Sequence, residues 1–140
     1  MTAFRFFLDP VLRHRERIER VRAAEHAHKV ADQRESQRVL DCLTASREAA
    51  RTALLGGQGK LEAISLRATY TYLDYLDRVI VAARQRLDAC AAGTDASRHH
   101  LGAAVRARKA LETLKERRRE AHDLEAALAE QRDLDEFNKV

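Results

Sequence analysis

The residues best able to do chemistry are few in this chain, and the clearest candidate is the stretch GGQGKL at residues 56–61. Its glycines and lysine resemble part of a phosphate-binding loop. That motif also needs a glycine five residues before Gly59 and Ser or Thr after Lys60, but Leu54 and Leu61 stand there. Because no strand-like segment precedes the stretch either, we interpret it as a turn between two helices.

The six histidines suggest a metal site, but their spacing does not support one. Glu25-x-x-His28 is half of the carboxylate pattern of di-metal helix bundles, and the other half is missing. His26 and His28 fall on different helix faces, as do His99 and His100. No group of nucleophile, base and acid is recognisable. The sequence therefore predicts no catalytic residue, no metal, no cofactor and no enzyme activity.

The formal net charge of +4 is spread over mixed charges. The densest basic cluster is flanked by acids, so intrahelical pairs are predicted between Glu116 and Arg119 and between Arg119 and Asp123. We interpret this cluster as a solvated helix face, with a protein contact as the alternative. A nucleic-acid partner is not expected, because a DNA-binding face would collect basic residues without interleaved acids. The cluster consists of Lys115, Arg117, Arg118 and Arg119.

No segment is typical of a secretion signal or a membrane span. Arg5 and Asp9 interrupt the apolar run that a signal peptide needs, and no run approaches the ~18 apolar residues of a membrane helix. An N-terminal anchor at the membrane surface is an alternative that Glu16 and Glu19 weaken. Cys42 and Cys90 lack metal or CxxC spacing and are expected as small apolar residues between helices in a reducing compartment. A cytoplasmic protein is expected.

The elements that must position these residues are two long helices. Charged residues make up 34% of the chain and aromatic residues 5%, which is typical of long helices rather than sheets. Asp9 and Pro10 form a strong helix start, and Gly93, with Thr94 or Asp95 after it, forms a weak interruption. The predicted layout is a single coiled-coil domain over 1–140, with a helix over about 10–55, a Gly-rich turn at 56–59, and a helix over about 61–138 with a break at 93–95.

A heptad repeat predicts how the helices pack. Positions 61, 65, 68, 72, 75, 79 and 82, continued in steps of four and three to 131, hold 15 apolar or aromatic residues among 21. A period of 3.5 indicates a left-handed coiled coil. In the first helix the predicted core is Val11, Ile18, Val21, Val39, Leu40, Leu43 and Leu54, with weak packing between 25 and 37. The predicted fold class is all-α, a long antiparallel two-helix coiled-coil hairpin.

The aromatic residues lie at the ends of such a hairpin. Phe4, Phe6 and Phe7 are expected to come close to Phe137 at the open end, and the three tyrosines lie toward the turn. A thin helix pair cannot bury all of these side chains. Exposed apolar residues gathered at two ends predict partner-binding surfaces.

Three segments together resemble one family. The opening FRFFLDPVLRHRERIERVRAAE resembles the start of FliJ proteins, cytoplasmic components of the bacterial flagellar type III export apparatus. The ending RARKALETLKERRREAHDLEAALAEQRDLDEF is similar to that family's C-terminal helix, and YTYLDYLDRVI to the beginning of its second helix. The matching residues include Phe4, Arg5, Phe6, Leu8, Val11, Leu12, Tyr72, Leu73, Leu76, Ile80, Leu111, Leu114, Leu134 and Asp135.

The resemblance implies a fold like the central stalk of rotary ATPases and a non-enzymatic role. It implies binding to the hexameric export ATPase, the cytoplasmic ring of the export gate and export chaperones, at the inner membrane of the flagellar base. By analogy with the stalk, the ATPase-binding residues would be Phe4, Phe6, Leu12, Leu134 and Phe137. The gate-binding residues would be Tyr72, Leu76 and Val79. An equivalent stalk of a virulence-type secretion system and a generic coiled-coil scaffold or membrane-surface protein are the alternatives.

Overall fold

The chain forms two long helices that pack against each other, in a computed structural model that describes residues 2–56 and 63–139. Helix α1 spans Asp9–Gly56 and helix α2 spans Ala63–Asn138. The described residues contain no strand. The predicted all-α, antiparallel two-helix hairpin is therefore confirmed.

The first helix begins where its sequence predicts. The amide of Asp9 donates a hydrogen bond to the carbonyl of Phe6 at 3.1 Å, which closes a turn just before the helix. Pro10 follows at a position where its missing N–H is no loss, and the carboxylate of Asp9 is favourable beside the positive end of the helix dipole. Of the predicted turn at 56–59, Gly56 is the last residue of α1, and residues 57–59 lie outside the described residues.

The break predicted at 93–95 is absent, because α2 is one continuous helix through these positions. The hydroxyl of Thr94 donates to the carbonyl of Cys90 at 3.0 Å, one helical turn back, so Thr94 does not cap a new helix. The same hydroxyl lies 3.2 Å from the carbonyl of Lys29 on α1. Packing against α1 thus outweighs the weak helix propensity of Gly93.

The chain divides into two compact units, each containing part of both helices. The terminal unit comprises Met1–Ala23 and His99–Val140, and the middle unit comprises Ala24–Arg98. Within the terminal unit Asp9 pairs with Lys115 and Glu19 with Arg108, so the two helices run in opposite directions there. The single domain over 1–140 stays a prediction.

The heptad period in α2 is correct, but its predicted register is wrong by one residue. The half-buried and buried residues recur at 73, 76, 80, 83, 87, 90, 94, 97, 101, 104, 108 and 111, whereas prediction placed the repeat at 72, 75, 79 and onward. The observed register turns Leu73, Leu76, Ile80 and Leu87 inward, where the predicted register has Tyr72, Tyr75, Val79 and Arg86 at the matching positions and several alanines farther along. Leucine and isoleucine side chains bury more apolar area than alanine, so this register is favoured.

The core is thin, and no described side chain is completely buried. The most buried apolar residues are Phe6, Leu12 and Ala104 in the terminal unit and Leu76 and Ile80 in the middle unit. The predicted α1 core is wrong at three positions, because Val11, Val21 and Val39 are exposed. The inward face of α1 instead carries polar side chains such as Ser36, which is buried.

Candidate partner-binding surfaces

The N-terminal residues 2–8 lie as a strap on α2 in the terminal unit. Phe6 is buried, with 5% of its surface exposed. The Phe4 ring lies 5.6 Å from the His122 ring at a tilt of 56°, and the guanidinium of Arg118 lies 5.6 Å above the ring of Phe7. An aromatic pair and a cation–π contact each contribute about 0.5–1 kcal/mol. These contacts attach the strap to α2.

The strap does not approach Phe137, contrary to the sequence-based expectation. Phe4 contacts His122, and Phe137 follows fifteen residues later in the same continuous helix, which is ~22 Å along the axis. Phe137 is 82% exposed and Leu134 is 64% exposed. Of the five residues predicted to bind the ATPase, Phe4, Phe6 and Leu12 therefore belong to the packed part of the unit, and the remaining two lie on an unpacked segment.

That unpacked segment is the C-terminal part of α2. Every residue over 127–139 is exposed, and we call this stretch the extension. Sequence reasoning missed it, because pairing Phe137 with the N-terminal phenylalanines assumed helix ends at the same level. The length difference between the helices, 48 residues against 76, is the signal for an overhang.

Charged pairs fix the two helices of the terminal unit against each other. Lys115 Nζ lies 2.9 Å from Asp9 Oδ1, and Arg108 bridges Glu19 on α1 and Glu112 on its own helix. Hydrogen bonds to these two carboxylates raise the pKa of Arg108. A guanidinium held by two carboxylates is fixed in position, so Arg108 helps to define which turns of α1 and α2 face each other.

The ion pairs formed by the basic cluster differ from those predicted. The intrahelical pairs expected for Arg119, with Glu116 and with Asp123, do not form in the described part of the chain. Lys115 instead reaches across to Asp9, and Arg118 covers Phe7. Two of the four basic residues thus hold the packed end of the unit together.

The residues predicted to bind the export gate lie on α2 in the middle unit. Tyr72 is 48% exposed, Val79 is half-buried, and Leu76 is only 3% exposed. These three share one side of the helix, since they are spaced by four and three residues. Leu76 packs against α1, so Tyr72 is the member best placed to contact another protein. Other exposed apolar residues in this part of α2 are Ile64, Leu66, Tyr70 and Tyr75, and Leu55 is exposed at the end of α1.

Polar side chains link the helices in the middle unit. His26 Nδ1 lies 2.8 Å from Ser97 Oγ, and Ser97 also donates to the carbonyl of Thr94 at 2.8 Å. Farther along, Ser36 Oγ lies 3.4 Å from Cys90 Sγ. Cys90 thus occupies the helix seam as predicted, but the prediction for Cys42 is wrong, because that side chain is exposed. Such polar layers specify register at a cost in stability.

Neither a metal centre nor a membrane span emerges from the described ranges. Residues 2–56 and 63–139 hold no group of three or more His, Cys, Asp or Glu side chains arranged to bind a metal ion. Their helices also lack an apolar stretch long enough to cross a membrane. What the geometry does offer is two sets of exposed apolar side chains, one on the extension and one around Tyr72.

A family model described as FliJ: Flagellar FliJ protein matches residues 4–140, which is nearly the whole chain. Searches of the curated proteins and of the solved structures find no match.

Proposed function

The chain belongs to the FliJ family of the flagellar export apparatus, and we propose that it is the central stalk of that apparatus. In this role it binds the hexameric export ATPase, links it to the cytoplasmic ring of the export gate, and assists the transfer of chaperone–substrate complexes. It works in the cytoplasm at the inner membrane, without catalysing a reaction itself. The observation that carries the proposal is the family match over residues 4–140, on a helix pair with two exposed apolar surfaces.

Among the residues predicted to bind the ATPase, those on the extension are the most exposed and so the best placed for direct contact. Phe6 and Leu12 are each 5% exposed and already packed, whereas Leu134 and Phe137 leave most of their surface to solvent. Burying a large apolar side chain contributes ~1.5–3 kcal/mol. We therefore assign the direct contact with the ATPase to Leu134 and Phe137, and the shape of the packed end to Phe4, Phe6 and Leu12.

A stalk acts on a ring by binding some conformations of its subunits more tightly than others. The mixed charges of α1 and α2 suit a reversible, hydrated interface better than a permanent apolar one. Four exposed acids on the extension accompany its three large apolar side chains, Leu128, Leu134 and Phe137. This composition fits a contact that forms and breaks as subunits change state.

Replacement of Leu134 and Phe137 by Ala tests the ATPase surface. Because both side chains are exposed, the double variant keeps the fold, and its affinity for the ATPase falls at least about tenfold. Titration calorimetry with the purified ATPase measures this. Leu55→Ala is the matched control, since Leu55 is 68% exposed but lies in the middle unit. Equal loss in the control, or no loss in the double variant, contradicts the assignment.

The predicted gate surface is tested at Tyr72. Tyr72→Ala removes an exposed ring, and binding to the isolated cytoplasmic ring of the gate is expected to weaken while helix content stays unchanged. Tyr70→Ala is the control, because Tyr70 is 57% exposed and two residues away, on the other side of the helix. If both variants bind the gate as the natural chain does, the gate contact does not involve this face.

A further inference from the structure

Two surface grooves of opposite charge occur in the terminal unit. One runs along the outward side of α1, lined by Pro10, Arg13, Glu16, Arg17 and Arg20. The other runs along α2 beside Thr2, and its charged lining consists of Asp123, Glu125, Glu130 and Asp133. The charged side chains of the first groove are mostly basic. Those of the second groove are all acidic, apart from the titratable His122.

The basic groove is a stripe of arginines without partners. Arg13, Arg17 and Arg20 are spaced by four and three residues, which places them on one face of α1. All three are exposed, and none forms an ion pair with a residue in the described ranges. The apolar Val21, which is 57% exposed, continues the same face. Glu19, by contrast, points toward α2 and is held by Arg108.

The extension presents the complementary pattern. Glu130, Asp133, Leu134 and Phe137 are spaced by three, one and three residues and so occupy one face of α2. Neither acid forms an ion pair with any part of the chain that the structure describes. Over 127–139 the charges are four acids against two bases, whereas residues 10–24 carry five arginines against two glutamates.

We propose that the acidic face of the extension docks on the arginine stripe of a second copy of this chain, and that its own stripe receives the partner's extension. The occupant is a second copy because the arginine stripe and the acidic face of the extension have complementary charges, and both belong to the terminal unit of this chain. This pairing goes beyond the stalk role and does not depend on it.

The spacing of the residues gives a register for the contact. Since α1 and α2 run antiparallel within one copy, a two-fold axis across the helices makes the partner's α1 parallel to the extension. In a parallel register that sets Arg13 level with Glu130, Arg17 lies within one residue of Asp133 and Val21 within one residue of Phe137. Each of the two equivalent interfaces then contains two ion pairs and one apolar contact.

The pairing covers Leu134 and Phe137, the residues assigned above to the ATPase contact. A paired copy therefore has its extension occupied, and pairing and ATPase binding exclude each other. Self-association is measured without the ATPase, so failure of one idea is distinguishable from failure of the other. Exposed ion pairs are weak, and the expected association is of low affinity and sensitive to salt.

A charge swap tests the pairing. One variant carries Arg13→Glu and Arg17→Glu, and the second carries Glu130→Arg and Asp133→Arg. Sedimentation equilibrium over a concentration series is expected to show self-association of the natural chain, and at least roughly tenfold weaker association of either variant alone. An equimolar mixture of the two variants restores association, because each stripe again meets an extension of opposite charge.

Three controls make the result decisive. Raising salt from 0.1 to 1 M shortens the screening length from about 10 to about 3 Å and should weaken association of the natural chain and of the mixture alike. Circular dichroism shows that both variants remain helical. Arg34→Glu with Arg38→Glu, on α1 in the middle unit, leaves self-association unchanged. A natural chain that stays monomeric throughout, variants that associate like it, or a mixture that fails to associate overturns the proposal.

Discussion

Replacing Gly93 by Ala is expected to stabilise the protein, since α2 passes through this position without a break. The backbone there has no left-handed φ. A Cβ added to Gly93 would meet Lys29 Cδ at 3.7 Å, an ordinary van der Waals distance, and no other atom more closely. The added methyl group therefore fits between the helices without displacing a neighbour.

The expected gain follows from helix propensity. Alanine is favoured over glycine by about 0.8–1.0 kcal/mol in a helix interior. The chief reason is that an unfolded chain with alanine at this position has less conformational freedom to lose on folding than one with glycine. Gly93 is half-buried, so the methyl group adds a small apolar contact. The free energy of unfolding should rise by about 1 kcal/mol, which corresponds to a melting temperature higher by roughly 4 °C for a unit of this size.

Thermal unfolding followed by circular dichroism at 222 nm measures this shift. Gly56→Ala is the control, because Gly56 is the last residue of α1 with no atom within 4 Å of its added Cβ, and its replacement should change stability by under about 0.5 kcal/mol. A Gly93→Ala variant that melts at or below the temperature of the natural protein refutes the continuous helix. That result would instead support the break in α2 that the sequence predicted at 93–95.

Three further predictions concern stability. Leu76→Ala should lower the free energy of unfolding by about 2–3 kcal/mol, which is at the low end for core leucines because the helix pair is thin. The control Val81→Ala, at an exposed position, should lower it by under about 0.5 kcal/mol, and urea unfolding measures both. Ser97→Ala should cost about 1 kcal/mol by removing the hydrogen bond with His26, with exposed Ser65→Ala as its control. The hydrogen bond from Arg38 lowers the pKa of Glu35 below its ordinary value, so its small stabilisation is present above the ordinary pKa and lost as pH falls through the lowered one. Glu35→Gln should therefore flatten this part of the stability profile in urea titrations between pH 3 and 6, and an unchanged slope would contradict the reasoning.

Much of the fold was predictable because it depends on local signals. Asp9 and Pro10 mark the start of α1, and Gly56, the first glycine of the Gly-rich stretch, is its last residue. The heptad period in α2 was also visible, since a period reflects the spacing of many residues. The register was not, because alanine occurs in both candidate seams and only packing against α1 shows that Leu76 and Ile80 turn inward.

The candidate surfaces were less predictable. Composition identified exposed apolar ends, but the position of the strap depends on contacts between residues far apart in sequence, such as Phe4 with His122. The packing of Phe6 and the exposure of Phe137 follow from how far α2 extends past the start of α1. That offset is fixed by pairs such as Asp9 with Lys115, which no local pattern reveals.

The role that we propose for this chain is that of a stalk in the ring of the export ATPase. The most direct test is ATP hydrolysis by the purified cognate ATPase over a concentration series of this protein, with ring assembly followed in parallel. A stalk should stimulate hydrolysis, with saturation near about one chain per hexamer, and replacing both Leu134 and Phe137 by Ala should abolish the stimulation. No change in hydrolysis or assembly, with the added protein shown to be helical, would contradict it.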